Sequence, residues 1–365
     1  MKTPPSITET PASLGYSMPA EWEPHQATWL SWPRKDGISF PDKFEPVPAY
    51  WVKMCELLSQ FEEVHINVFD DEHENEVSGH LSAANLPFQK SAVETKKPVR
   101  IFLHQFPAYE PWCRDHGPIF VTREGVTGRE MAVVDWGYNA WGGKYPPYDL
   151  DDAVPQHVAK YLKLPLFSPG IVMEGGSIEV NGAGCLLTTT ACLLNKNRNP
   201  GLTQVQIEQF LKDYLGVKKI LWIDHGIVGD DTDGHIDDIT RFVSPTTLVT
   251  ALEYDSKDEN YQPLMENYET LLQMTDAEGR PFRVVTLPMP EAIHHEGQRL
   301  PASYANFYMA NNLVLVPTFN SQFDGEALLT LREVFPDRKV VGIDSRDLIW
   351  GLGAFHCVTQ QQPAI

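Results

Sequence analysis

The sequence predicts an α/β fold assembled from repeated ββαβ units, and three observations carry that prediction. Two-residue alternation of apolar side chains marks four hairpins, each hairpin is followed by a helical stretch and another strand, and both ends of the chain carry strand-like segments able to pair with one another. At the N-terminal end, Ala27-Thr-Trp-Leu-Ser-Trp32 reads as a strand. The first hairpin runs along Gly117–Arg123, turns near Gly125–Gly128 and returns along Met131–Trp136. The second spans Ser177–Thr189; the third joins Asp237–Val243 to Leu248–Leu252; the fourth joins Asn306–Met309 to Leu313–Pro317 through Asn311-Asn312. Helices are expected from Thr203, whose hydroxyl can cap, to Tyr214, with Val205, Ile207, Phe210 and Leu211 apolar, and over Gly325–Phe335. The closing strands are Lys219–Ile223, Arg283–Leu287 and Lys339–Ile343. Stacked around an axis, such units would bury one another's apolar faces, and pairing of Val358-Thr-Gln with the strand at Ala27 would close the ring as a split first unit.

Composition bounds the function. The chain has 365 residues, 42% apolar, enough for one large core. Residues 1–17 are rich in Pro, Ser and Thr and are expected to form a flexible N-terminal segment. No signal-peptide pattern or apolar run of membrane-spanning length is present, which points to the cytoplasm and away from a membrane partner. Five cysteines at irregular spacing, without a CxxC pair, fit reduced thiols better than a disulfide frame or zinc site. The net charge of −20 disfavours a nucleic-acid partner, because a polyanion needs a basic patch to displace its counterions, and it favours the approach of a small cation. A homo-oligomer is compatible with this composition.

Chemistry-bearing residues fall at one phase of the repeat. Asp115, Glu174 and His235 stand 59 and 61 residues apart, each just before or at the start of a hairpin, and Cys357 would reach the same end of the axis through the split unit. A thiol, an imidazole and carboxylates together suit covalent thiol catalysis on a cationic substrate. Taken alone, Cys357 reads as a small buried hydrophobe, and His235 equally as a hydrogen-bonded core histidine. Strand alternation would send His235 and Asp237 to one face. Trp112, Trp136, Tyr138 and Trp141 read as core packing, with an aromatic wall beside a cation as the alternative. Asn195-Lys-Asn-Arg-Asn-Pro200 is a basic island, expected as a solvated loop near the pocket. The ligand-rich stretch Asp230–Asp237 and His294-His295-Glu296 permit a metal reading, but no metal-site spacing is present, and it ranks below thiol chemistry.

Met18-Pro-Ala-Glu-Trp-Glu-Pro-His, Trp112-Cys-Arg-Asp-His-Gly-Pro118, Glu174-Gly-Gly-Ser177, Asn195–Pro200, Gly229–Asp237, Leu300-Pro-Ala-Ser-Tyr and His356-Cys-Val-Thr359 resemble the agmatine deiminases, within the bacterial peptidylarginine-deiminase-type group of guanidino-modifying enzymes. The resemblance runs from about residue 18 to the end. It implies a five-bladed pseudo-symmetric α/β propeller, the pentein fold, with 18–365 as a single catalytic domain, and hydrolysis of agmatine to N-carbamoylputrescine and ammonia without metal or organic cofactor. Carried over by position, Cys357 matches the nucleophile, His235 the general acid and base, and Asp115, Glu174 and Asp237 the carboxylates around the guanidinium. Trp112 is a candidate substrate contact, and Asp231 a candidate for the far amine, chosen for its acidity and nearness to His235. The segment Gly351-Leu-Gly-Ala-Phe355 departs from the family's glycine run and bears on the shape of the pocket lip.

Three other readings compete. A deiminase of free or peptidyl arginine would need a basic group for the substrate carboxylate, with Lys196 and Arg198 as suppliers. A papain-like amidase would place its cysteine on a helix N-terminus, whereas Cys357 is expected in a strand. A non-catalytic polyamine-binding protein would have no use for a thiol paired with histidine.

Overall fold

The computed structural model describes residues 9–91, 98–126 and 128–365. The expected hairpins form as Ile119–Glu124 with Arg129–Val134, Ile178–Val180 with Cys185–Thr189, Thr240–Ser244 with Thr247–Leu252, and Tyr308–Ala310 with Leu313–Thr318. The return strand of each then pairs in parallel with a later one: Leu166–Phe167, Lys219–Ile223, Arg283–Pro288 and Lys339–Asp344 respectively. Parallel pairing requires a crossover. Helices Val154–Leu162, Gln204–Leu215, Tyr261–Gln273 and Asp324–Val334 provide it. The central strand Leu313–Thr318 is buried throughout, so it reads as a continuous apolar run where half-buried strands alternate.

The split unit forms as expected. Thr359–Pro363 pairs antiparallel with His25–Ser31, which continues in parallel to Glu63–Asn67, Ile101–His104 and Phe88–Gln89. Trp29 Nε1 donates to Gln362 Oε1 across the joint at 2.9 Å. The sheets are hydrogen-bonded separately, and none closes on itself among the described residues, so the architecture stands as α/β with repeated ββαβ units. Among the described residues no helix is long and apolar enough to cross a membrane.

Of the segment 1–17 expected to be flexible, residues 1–8 lie outside the described residues. Its later part packs: Ala12–Leu14 form a 3-10 turn, Tyr16 is buried in one apolar cluster with Ile119 and Leu215, and Ser17 bridges Thr122. The aromatic ring supplies the apolar area that a Pro/Ser/Thr count overlooks.

Candidate active site

The split sheet and the four hairpin sheets each deliver chemistry in a connection that enters a strand. Asp115 sits in the short helix Cys113–His116, Glu174 precedes the 3-10 turn Gly175–Ser177, and His235 precedes the turn Ile236–Asp238. Asn306 stands two residues before its strand, and His356-Cys357 occupy the turn before Thr359. These connections meet. Asp115 Oδ1 accepts from Gly176 N at 3.0 Å and lies 3.6 Å from His235 Nδ1. Asp237 Oδ2 is 2.6 Å from His356 Nδ1 and 3.7 Å from Cys357 Sγ. The amide of Arg114 donates to the Cys357 carbonyl at 3.0 Å. Gly176 stands at the junction, where a Cβ would come within 2.6 Å of His235 Nδ1 and 2.7 Å of Asp115 Oδ1, so only glycine admits this convergence.

Two local expectations are corrected. His235 and Asp237 do not share a strand face, because Asp230 Oδ2 accepts from the amides of Gly234 and His235 at 2.9 and 3.1 Å and draws the chain into a turn. Cys357 does not lie in the expected strand. The strand begins at Thr359, and Cys357 is 5% exposed, held by its backbone bonds to Arg114 and to Asn306 Oδ1.

Charge is concentrated and buried. Burial, then the charges of Asp237, Asp238 and Asp115, push the Cys357 thiol well above its ordinary value. Burial likewise raises Asp115 well above the usual carboxylate range, with Asp237 and Glu174 adding to it. Glu174 is raised by burial in spite of Arg198. Burial works against ionisation of Asp237 too, but the hydrogen bond and charge of His356 prevail and lower it. Burial depresses His235 to about 3, and neither ring nitrogen has a protein hydrogen-bond partner among the described residues. The resting centre therefore holds a neutral imidazole and a thiol beside buried carboxyl groups, of which Glu174 is paired with Arg198 and Asp237 with His356.

A pocket of about 350 Å³ opens onto this centre, with Cys357 and Asp115 at its lining. Trp112 and Trp141 line it; Trp112 Nε1 donates to Ser39 Oγ at 2.8 Å, and Trp141 Nε1 to Asp115 Oδ2 at 2.9 Å. Asp231 lines it as well, accepting from the Tyr145 hydroxyl and lying 3.5 Å from Lys144 Nζ. Trp136 packs instead in the core against Tyr214. Gly351 and Leu352, from the segment that departs from the glycine run, form part of the lip.

Three participants escaped the sequence reading. Asn306 Oδ1 accepts from the amides of His356 and Cys357 at 3.1 and 3.3 Å, which fixes its amide orientation and turns Nδ2 toward Cys357 Sγ at 3.0 Å and Asp238 Oδ1 at 2.9 Å. The signal available was its phase, for Asn306 opens the fourth hairpin as Asp115 and Glu174 precede theirs. Arg198, expected in a solvated loop, is buried: Nε donates to Glu174 Oε1 at 2.6 Å and Nη1 to Asp233 Oδ2 at 2.5 Å. Cys192 lies close to Glu174 and His235, and nothing in its sequence context distinguished it from a core residue.

The fold and the centre define a class, a thiol-bearing α/β enzyme of the guanidino-group-modifying type. The model of the Porphyromonas-type peptidyl-arginine deiminase family matches residues 17–363, and the chain belongs to that family. It is 37% identical to a putative agmatine deiminase of Legionella pneumophila, over 98% of each chain, and 36% identical to the agmatine deiminase of Medicago truncatula, over 98% of this chain and 99% of that one. The structure of the Enterococcus faecalis agmatine deiminase superposes with a TM-score of 0.87 at 32% identity, covering 98% of both chains.

Proposed function

We propose that the protein hydrolyses agmatine to N-carbamoylputrescine and ammonia through a covalent amidino-cysteine intermediate. The pocket lining carries this reading. Asp115, Asp231 and Glu296 face the space and, among the described residues, no lysine or arginine lines it, so it suits a ligand cationic at both ends and offers no described side-chain ion partner of that kind to an arginine carboxylate. Arg198 is spent on Glu174 and Asp233, Lys144 pairs with Asp233, and Lys196 points to solvent.

In this mechanism the guanidinium enters among Asp115, Glu174 and Asp237, which hold its plane, while Trp112 covers it and Asp231 meets the far amine. Its positive charge offsets the carboxylates that raise the thiol, and Cys357 gives up its proton, which His235, neutral at rest, accepts. The thiolate attacks the guanidinium carbon, and the C–N bond breaks as His235 returns that proton to the departing ammonia. Water, deprotonated in turn by His235, then attacks the amidino carbon, the C–S bond breaks, and the thiolate is restored. Asn306 Nδ2 gives the sulfur a neutral donor throughout. We further infer that residues 18–365 act as one catalytic domain working in the cytoplasm, a five-bladed propeller whose blades are the five-stranded and the four three-stranded sheets, the small ribbon His294–His295/Gln298–Arg299 standing apart; convergence of the connections from these five sheets on one centre supports the propeller.

Purified protein incubated separately with agmatine, arginine and an arginyl peptide, followed by ammonia and ureido product, tests the reading. Turnover of agmatine alone, abolished in Cys357→Ala, is expected; turnover confined to arginine or the peptide would move the substrate, and silence with all three would favour a polyamine-binding protein.

A further inference from the structure

The centre contains a second thiol that the proposed reaction leaves unused. Cys192 is fully buried, and its Sγ, a carboxylate oxygen of Glu174 and a ring nitrogen of His235 all lie within 4.8 Å of one another. The other two side chains are equally buried, and both present atoms without protein hydrogen-bond partners among the described residues: Glu174 Oε2, and Nδ1 and Nε2 of His235. Arg198 occupies Glu174 Oε1 and leaves Oε2 unpaired. Leaving such groups unpaired in a protein interior is unfavourable, and a cation satisfies all three donors together.

The chemistry of the donors selects the ion. One thiolate, one imidazole and one carboxylate form a mixed S, N, O set suited to a borderline-soft divalent cation, not to magnesium or calcium, which take oxygen ligands. The charges of the thiolate and the carboxylate would cancel that of the ion. Three protein ligands also leave a fourth position open to water.

We propose that Glu174, Cys192 and His235 form an inhibitory site for zinc or a cation of like softness, separate from the nucleophile Cys357. Binding forms a metal–sulfur bond as the Cys192 proton passes to solvent, and it occupies the ring nitrogen needed for proton transfer. The inhibitory consequence rests on the role assigned to His235, whereas binding itself does not.

Chelator-treated full-length protein is titrated with zinc chloride against a chromophoric competitor, and separately with cobalt chloride, as wild type, Cys357→Ala and Cys192→Ser. One zinc per chain is expected in wild type and in Cys357→Ala, with a thiolate-to-cobalt charge-transfer band in both, and zinc affinity at least about tenfold weaker in Cys192→Ser. Undiminished binding in Cys192→Ser, or loss of zinc and of the cobalt band in Cys357→Ala, overturns the proposal. The second arm decides the matter even when the serine variant does not fold. Zinc bound through Cys192 by a protein that leaves agmatine intact would uphold the site and sink the substrate reading, while agmatine turnover indifferent to zinc, without stoichiometric binding, would do the reverse.

Discussion

Cys357 is surrounded by groups that oppose its ionisation, and Asn306 is the neutral exception. In the proposed mechanism a thiolate here depends on the charge the substrate brings and on the 3.0 Å contact from Asn306 Nδ2. Difference absorbance between wild type and Cys357→Ala isolates this thiol from the other four cysteines, all raised by burial. The thiolate fraction of the free protein should rise only above about pH 8.5, the ordinary thiol value, and a bound guanidinium analogue should shift the midpoint down by about one unit or more. An unmoved midpoint would refute substrate-assisted ionisation. Asn306→Asp keeps the shape but sets a carboxylate against the sulfur. Its kcat should fall about 10²-fold or more with KM little changed and with the thiol midpoint raised, whereas a merely structural role would leave that midpoint alone. The legibility of these residues divides along chemical type. Cys357, His235, Asp115 and Glu174 announce themselves, since only a few side chains transfer protons at neutral pH and repeat phase groups them, whereas Cys192 falls outside that phase. An asparagine or an arginine carries no such mark. Arg198 looked solvated because its neighbours Lys196 and Asn197 are polar, and its buried partner Glu174 lies 24 residues away.

At the scale of elements, alternation and capping were readable because both are local. Thr203 caps Gln204–Leu215 through a full capping box with Gln206, and Gly216 ends the helix at φ 66°. What the helix reads locally it does not reveal globally, for Gly216 also touches the N-terminal segment: a Cβ there would strike Tyr16 O and stand 2.8 Å from Ser17 Cα. The two caps therefore predict different costs. Thr203→Ala should lose about 1 kcal/mol, the usual worth of an N-cap. Gly216→Ala combines a strained left-handed backbone with an overlap onto main chain, and should cost clearly more, about 2 kcal/mol or above. Urea denaturation of both variants checks the order; equal losses would mean that the Tyr16 segment yields without resistance. The turn at His235-Ile-Asp237 was misread as strand for the complementary reason. Apolar Ile236 between two polar residues satisfies alternation, while the force that bends the chain comes from Asp230, outside the window that alternation inspects.

Across the whole molecule, a buried ionic cluster joins the sheets behind the centre. Glu21 Oε2 accepts from Arg241 Nη2 at 2.8 Å and lies 2.7 Å from His356 Nε2 and 3.5 Å from Arg114 Nη2, while Oε1 accepts from Met309 N at 2.8 Å. Arg241 continues to Glu179 at 2.8 Å, and Arg114 to Gln361 at 2.7 Å in the C-terminal strand. His356 thus stands between Glu21 and Asp237, so the cluster that binds the ends of the chain also orients a carboxylate of the site. Burial opposes ionisation of Glu21, but Arg241 and His356 overcome it and hold the carboxyl well below its usual range. A carboxyl lowered on folding contributes stability above its unfolded value of about 4.3 and loses that contribution as pH falls through the folded one. Glu21→Gln removes the charge, leaves two buried arginines short of an anion, and sets an amide hydrogen against a donor. At pH 7 the variant should be less stable by about 3–5 kcal/mol, the cost of breaking a buried pair. The gap should narrow below about pH 4, where wild type begins to lose the same interaction. Urea denaturation at pH 7 and at about pH 3 reads both. A variant as stable as wild type yet slow toward substrate would confine Glu21 to orienting His356, and a gap independent of pH would show that its charge is not what joins the sheets.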